Sequence, residues 1–300
     1  MTAKYDLTVR AFDSGTPAMY SDVKVTVDVI EESTYSPEVS SLEVHISSYM
    51  DDFPGGVIGT LKAVDGDKFD TLDYTVVSMH RNLFDIDKKD GRVIAFAGLD
   101  SGSYTVNVSV SDGKYTSYGT VNVVVTTITE EMIANAVTIQ FADMTAQDFV
   151  KLYRKDFIKT LKNEFNVRNE DISIISIQKS ESINLSERKR RDTSGSNNLD
   201  ILFAISKGNE YIPKDRLKRR VSKLSDDLES SMGVQVVKVI ADICEKDMCA
   251  GGKCVGSVVF DKDSLVPVFM DGGSFVAAKH RYTYECECPN GNIGKYGYCE

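Results

Sequence analysis

The first 130 residues repeat one pattern, and it is a strand pattern. Tyr5, Leu7, Val9 and Ala11 alternate with polar neighbours, the gap from Asp13 to Ser21 holds Gly15 and Pro17, and Val23, Val25, Val27 and Val29 alternate again. The pair returns further along: Tyr104, Val106, Val108 and Val110 lead into Asp112-Gly113, and Val121, Val123 and Val125 follow. Alternation at period two puts the apolar side chains on one face, so two such runs across a Gly-containing gap read as a hairpin. The interval between the copies is the size of a β-sandwich. Only the last two strands of the first copy are present, so the chain is expected to begin inside a domain.

Residues 136–241 change character. Val137, Ile139 and Phe141 alternate, Thr145 and Asp148 can cap a helix, and Phe149, Tyr153, Phe157, Leu161 and Phe165 form one helical stripe. Ile172 and Ile174, then Leu199, Ile201, Phe203 and Ile205, read as strands. Leu217, Val221, Leu224, Leu228 and Met232 form a second stripe that starts after Pro213 and stops at Gly233, followed by a strand through Val234, Val236 and Ile240. The order β-α-β-β-α-β predicts a ferredoxin-like α+β unit, with helices on one face of an antiparallel sheet. Its two middle strands are separated by a polar loop (179–198) that contains Arg188-Lys189-Arg190-Arg191. A structureless loop this long in a compact unit is often functional.

All six cysteines fall between Cys244 and Cys299. An even number crowded into one end reads as a small disulfide-stapled module in an oxidising compartment. The wrong spacing and that compartment argue against zinc. With 42% hydrophobic and 27% charged residues the chain is neither disordered nor a coiled coil. A net charge of -10 argues against a nucleic-acid partner. No apolar run is long enough to span a bilayer, and the first residues lack the apolar core of a signal peptide, so a fragment of a longer extracellular protein is expected.

Residues 1–35 and 36–130 resemble cadherin repeats, the first of them a C-terminal part only. The resemblance rests on Tyr-x-Leu-x-Val-x-Ala-x-Asp-x-Gly-x-Pro at Tyr5 to Pro17, on Ala63-Val64-Asp65-Gly66-Asp67, on Phe84-x-Ile86-Asp87 with Gly91 and Val93, and on Leu99-Asp100. Followed by an α+β unit with a basic loop and by a cysteine-rich module, the series resembles the region after the cadherin array in Fat-type protocadherins. The middle unit (136–241) is similar to SEA-like domains, and 244–300 to an EGF-like module. The fold implied is therefore multidomain: an all-β, Ig-like cadherin sandwich, a ferredoxin-like domain and a small disulfide-rich module.

Calcium is the cofactor the resemblance implies. It takes six to eight oxygen ligands. Asp65, Asp67 and Asp112 correspond to the family's ligands at the top of a repeat, and Asp13 to the matching position one repeat earlier. The linker departs from the family's Asp-x-Asn-Asp-Asn-x-Pro and reads Glu31-Glu32-Ser33-Thr34-Tyr35-Ser36-Pro37, which leaves Glu31 as a chelator and implies fewer, weaker ions. Asp-Gly also simply marks turns.

The basic run fits the Arg-x-(Lys/Arg)-Arg pattern of furin-type convertases, and a cut after Arg191 would leave a noncovalent heterodimer. Arg216-Leu217-Lys218-Arg219 fits too, but it lies on the second helix and is expected to stay intact. Gly256-Ser257-Val258-Val259 imitates the self-cleavage sequence of SEA domains outside the required turn, and Gly195-Ser196 is followed by the unsuitable Asn197. Six cysteines allow fifteen pairings. The EGF-like resemblance implies Cys244–Cys254, Cys249–Cys286 and Cys288–Cys299, although the stretch from Cys254 to Cys286 exceeds the usual pattern. Asn107 and Asn184 head sequons, and Asn107 falls on the outward phase of its strand.

His45, His80 and His280 show no metal or triad spacing, and no phosphate-binding glycine loop is present, so no enzyme is expected. The resemblance implies a spacer in the extracellular part of a plasma-membrane adhesion protein with planar-polarity signalling. Its partners would be cadherins on neighbouring cells, met through repeats outside this chain, and a furin-type convertase, with a membrane anchor further downstream. The competing readings are a proteolytically processed, force-sensitive receptor module and a secreted matrix protein.

Overall fold

In the computed structural model, residues 3–29, 32–180, 197–244, 248–249, 251–289 and 293–294 are described. The first alternating pair forms the hairpin β1 (Ala3–Phe12) and β2 (Tyr20–Val29), in register from Ala3↔Val29 to Phe12↔Tyr20. Its apolar residues, among them Tyr5, Leu7, Val9 and Val23, are exposed.

The second block is a two-layer sandwich. In chain order its strands are β3 (Glu38–Val39), β4 (Leu42–Tyr49), β5 (Gly56–Thr60), β6 (Ala63–Val64), β7 (Asp73–Val76), β8 (Phe84–Ile86), β9 (Arg92–Ala95), β10 (Gly102–Ser111) and β11 (Thr116–Ile128). One layer runs β4-β11-β10-β7, the other β5-β9-β8, with β3 and β6 paired separately. Alternation explains the core. Leu42, Val44 and Ile46 of β4, Val106, Val108 and Val110 of β10, and Val121, Val123 and Val125 of β11 all point between the layers and are buried.

A short helix, α1 (Glu130–Ala134), capped by Thr129, leads into β12 (Val137–Phe141). Thr145 Oγ1 then accepts the Asp148 amide at 3.1 Å and starts α2 (Ala146–Asp148). One π-turn, Phe149–Tyr153, carries the chain into α3 (Arg154–Phe165), which ends on Asn166 in the left-handed region. There follow β13 (Ile172–Lys179), β14 (Leu199–Lys207), β15 (Glu210–Tyr211), α4 (Lys214–Lys223), α5 (Ser225–Met232) and β16 (Val236–Ile240). The main sheet runs β13-β14-β12-β16, with antiparallel neighbours throughout. Phe149, Phe157, Leu161 and Phe165 join Leu217, Val221 and Leu228 in a helix layer packed on one sheet face. The second stripe is two helices rather than one. At Leu224 the amide is shared between the carbonyls of Arg220 and Val221, which tightens the turn.

The C-terminal region differs most from expectation. A self-contained module was expected over 244–300, but its described residues form a long hairpin, β17 (Lys253–Met270) and β18 (Gly273–Glu287), with β19 (Ile293–Gly294) on the end of β18. β18 hydrogen-bonds in parallel to β4, from Gly273↔Glu43 to Ala277↔Ser47, so the sandwich layer becomes β17-β18-β4-β11-β10-β7. The physical reason is visible along β18. Val276 is buried in the sandwich core, while its neighbours Phe275 and Ala277 are buried in the core of the α+β unit. Val258 and Phe260 of β17 pack on the face of the α+β sheet opposite the α3–α5 layer, beside Ile175, Leu202, Ala204 and Met132 of α1. The stretch from Cys254 to Cys286 is this hairpin, whose residues are buried in both cores.

Candidate functional site

The acidic loop after β6 is the most concentrated ligand chemistry among the described residues. Asp65, Asp67 and Asp70 each offer a carboxylate oxygen, all within 4.8 Å of one another. The Asp65–Asp67 spacing folds this way because Asp65 Oδ1 accepts the Asp67 amide at 2.8 Å, a tight Asx turn. The free oxygens of Asp65 and Asp70 are buried, and no hydrogen-bond donor reaches either one. Three carboxylates converging with two buried, unsatisfied oxygens fit a hard divalent cation, since like charges this close need a counter-charge. Asp65 and Asp67 are thus together, joined by Asp70, which the sequence reading missed. Its signal was an acidic residue three positions past the Asp-x-Asp motif.

The linker is clamped from two sides. Asp67 Oδ2 accepts the amides of Thr34 (2.7 Å) and Tyr35 (2.9 Å), and these bonds, Tyr35 foremost, hold its carboxyl below the ordinary carboxylate range. Gly66 lets the clamp close: a Cβ there would lie 2.7 Å from Cγ of the Tyr35 ring. On the other side Asp112 Oδ1 accepts the Lys114 and Tyr115 amides at 2.6 Å each, and Ser33 Oγ donates to Oδ2 at 3.4 Å. Burial pushes the Asp112 carboxyl up, but these bonds outweigh it and the net displacement is downward. Asp112 thus braces its own turn and touches the linker, and its carboxylate lies outside the group formed by Asp65, Asp67 and Asp70. The Lys114 ammonium bonds Glu32 (2.7 Å) and the Ser33 carbonyl (2.7 Å), and the bond to Glu32 raises the lysine and lowers the glutamate.

Asp13 serves its own loop: its Oδ1 accepts the amides of Gly15 (3.0 Å) and Met19 (2.8 Å), and its pKa is lowered accordingly. Glu31, the run Arg188, Lys189, Arg190 and Arg191, Asn184, Gly195-Ser196 and Cys299 lie outside the described residues. Asn107 is exposed on β10. Arg216-Leu217-Lys218-Arg219 is helical, within α4. Gly256-Ser257-Val258-Val259 is regular β17, paired with Tyr284 to Arg281. Cys244–Cys254 and Cys249–Cys286 are disulfides, with Cα atoms 5.7 and 5.6 Å apart. The three histidines sit on separate elements: His45 on β4, His80 ahead of β8 and His280 on β18. No helix among the described residues is long and apolar enough to cross a membrane.

Residues 137–276 match the family described as DE-cadherin, Ig-like domain. The chain is 33% identical over 310 residues to the Fat-like cadherin-related tumor suppressor homolog of Drosophila melanogaster, covering 98% of this chain and 7% of that protein. It is 33% identical over 288 residues to protocadherin Fat 1 of Homo sapiens, covering 96% of this chain and 6% of that protein. Among solved structures, mouse cadherin-23 EC22-24 is similar over 42% of this chain and 42% of that one, at 21% identity and a TM-score of 0.29.

Proposed function

Since the chain belongs to the Fat-type cadherins, we propose that it is a stiff, calcium-clasped spacer in the extracellular part of an adhesion protein, and not an enzyme. The observation that carries this is the seating of β18. One strand hydrogen-bonds to the sandwich and places adjacent residues in two cores, which couples the cadherin repeat to the α+β unit. The triad Asp65, Asp67 and Asp70 would hold calcium at the other end of the repeat and stiffen the linker, more weakly than the roughly 0.1–1 mM typical of extracellular modules. The whole protein would be membrane-anchored, contact cadherins on neighbouring cells and support planar-polarity signalling. The α+β unit reads as ferredoxin-like and SEA-like, supported by the sheet order β13-β14-β12-β16 and its one-sided helix layer. The two disulfides support an EGF-like cysteine framework wrapped around the base of the hairpin. The exposed Asn107 would carry a glycan.

Calorimetric calcium titration tests the clasp. The expected result is uptake near millimolar calcium that Asp65→Asn with Asp67→Asn abolishes. Identical titrations for parent and variant would sink it.

A processed-receptor reading is favoured by one further observation. A cut between β13 and β14 would leave β12 hydrogen-bonded to β14 and β16, and β4 to β18, so both halves would stay interleaved. Intact mass of the chain secreted from convertase-competent cells, native and then denatured without reductant, tests it. Fragments meeting after Arg191 support it, and an uncut chain removes it.

A further inference from the structure

The basic run on α4 is used by none of the contacts above. In a chain of net charge -10, α3 and α4 together hold ten Lys and Arg against three Asp and Glu. We propose that the outward faces of α4 and α3 bind a sulfated glycosaminoglycan of the heparan sulfate class.

Spacing makes these charges a surface. Arg216, Arg219 and Lys223 fall at i, i+3 and i+7 and are exposed, while Leu217 and Val221 on the opposite side are buried. Lys155, Lys159 and Lys162 repeat the device on α3 at i, i+4 and i+7, opposite the buried Phe157 and Leu161. Residues so spaced share one helix face, and seven residues span about 10 Å. Each helix therefore presents three cations in a row, which suits a linear polyanion better than a single phosphate.

Two carboxylates near the rows are engaged by other cations, and Asp156 and Asp215, on the helices themselves, form no ion pair with a row cation among the described residues. Glu164 accepts the Arg220 guanidinium at 2.8 and 3.0 Å, and Asp242 pairs with Lys214 at 3.6 Å. Among the described residues none of the six row cations is ion-paired. Arg220 also lies 4.2 Å over the Phe165 ring, so the last turn of α4 is locked to the last turn of α3 and the two rows keep a fixed relation. At physiological ionic strength the screening length is about 8 Å, so a polyanion at this face meets the local cations and not the net charge of the chain.

The disulfides decide the class of polyanion. They place the chain in an oxidising space, where nucleic acid is absent and the strongly anionic lipid leaflet is on the far side of the membrane. Sulfate esters remain, and guanidinium groups pair with them through the same forked geometry they use on phosphate.

Surface plasmon resonance of the whole chain in 150 mM salt tests this against immobilised heparin, desulfated heparin, phosphatidylserine vesicles and single-stranded DNA. The expected result is binding to heparin but not to desulfated heparin, weakened about tenfold or more by Arg216→Ser, Arg219→Ser and Lys223→Ser together, with a shallower salt dependence. A control with Lys24→Ser and Arg81→Ser should bind as the parent does. Circular dichroism checks the fold, and Lys155→Ser, Lys159→Ser and Lys162→Ser serve as an independent variant if the first set unfolds. Three results would overturn the proposal: no heparin binding by the parent, full affinity in a folded triple variant, or tighter binding to vesicles or DNA than to heparin.

Discussion

Gln178 bonds twice to the backbone of His280: its Nε2 donates to the His280 carbonyl oxygen at 2.9 Å, and its Oε1 accepts the His280 amide at 3.2 Å. Both residues are buried. β4 pairs with β18 only as far as Ala277, and three residues later a side-chain amide from β13 takes over the role of a strand partner. Gln178→Leu would leave both His280 backbone groups unsatisfied on that side, at a cost of about 1–3 kcal/mol each. Urea denaturation should show a clearly lower midpoint at unchanged slope. An unchanged midpoint would mean that the hairpin is not seated there.

His45 makes the same junction sensitive to acid. It lies on β4 opposite Phe275 of β18, and burial pushes its imidazole below the ordinary value, with the Arg154 guanidinium adding to the effect and Glu43 opposing it. A group whose folded pKa is depressed binds its proton more readily when unfolded. Stability should therefore be complete above the ordinary histidine range and fall as pH drops below about 6.5. Melting temperatures at pH 7.5 and 5.5 check this, and His45→Gln should flatten the difference.

Asp70 gives a sign reversal. Its buried oxygen has no donor and faces two other carboxylates. Asp70→Asn removes one like charge, so in chelator the variant should melt no lower than the parent. In millimolar calcium it should melt lower, having lost a ligand. A variant that tracks the parent in both buffers would place the ion elsewhere.

Gly66 tests the linker clamp. A methyl there meets the near atoms of the Tyr35 ring, so the ring must move and the Tyr35 amide leaves Asp67. Gly66→Ala should weaken calcium uptake several-fold, and adding Tyr35→Ala should restore most of it. Additive losses in the pair would show that the two residues act separately.

What the sequence made legible follows from where the signal is local. The valines of β10 and β11 alternate because one face of each strand is buried, and Phe157, Leu161 and Phe165 repeat at helical spacing because one face of α3 is. The hairpin is obscured in the sequence by the cysteines: Cys254 and Cys286 suggest a small stapled module, and the strand residues Val268, Phe275 and Val276, buried in the fold, go unread. Parallel pairing of β18 with β4 joins segments far apart in the chain and leaves no local trace. Asp70 was missed for the opposite reason, since an acidic residue in a turn is too common to stand out before the fold brings it to Asp65.

Neighbouring substitutions on β18 should act on different domains. Phe275 is buried against the helix-packed core and Val276 against the sandwich core, because successive side chains of a strand point to opposite faces. Phe275→Ala removes a large side chain from the α+β unit, at about 3–5 kcal/mol, and Val276→Ala removes two methyl-sized groups from the sandwich, at about 2 kcal/mol. Amide hydrogen exchange separates the two. Phe275→Ala should lower protection mainly in β12 and β14, and Val276→Ala mainly in β10 and β11. If both variants lower protection everywhere alike, sandwich and α+β unit unfold as one cooperative body, and the hairpin is a shared core element of a single domain.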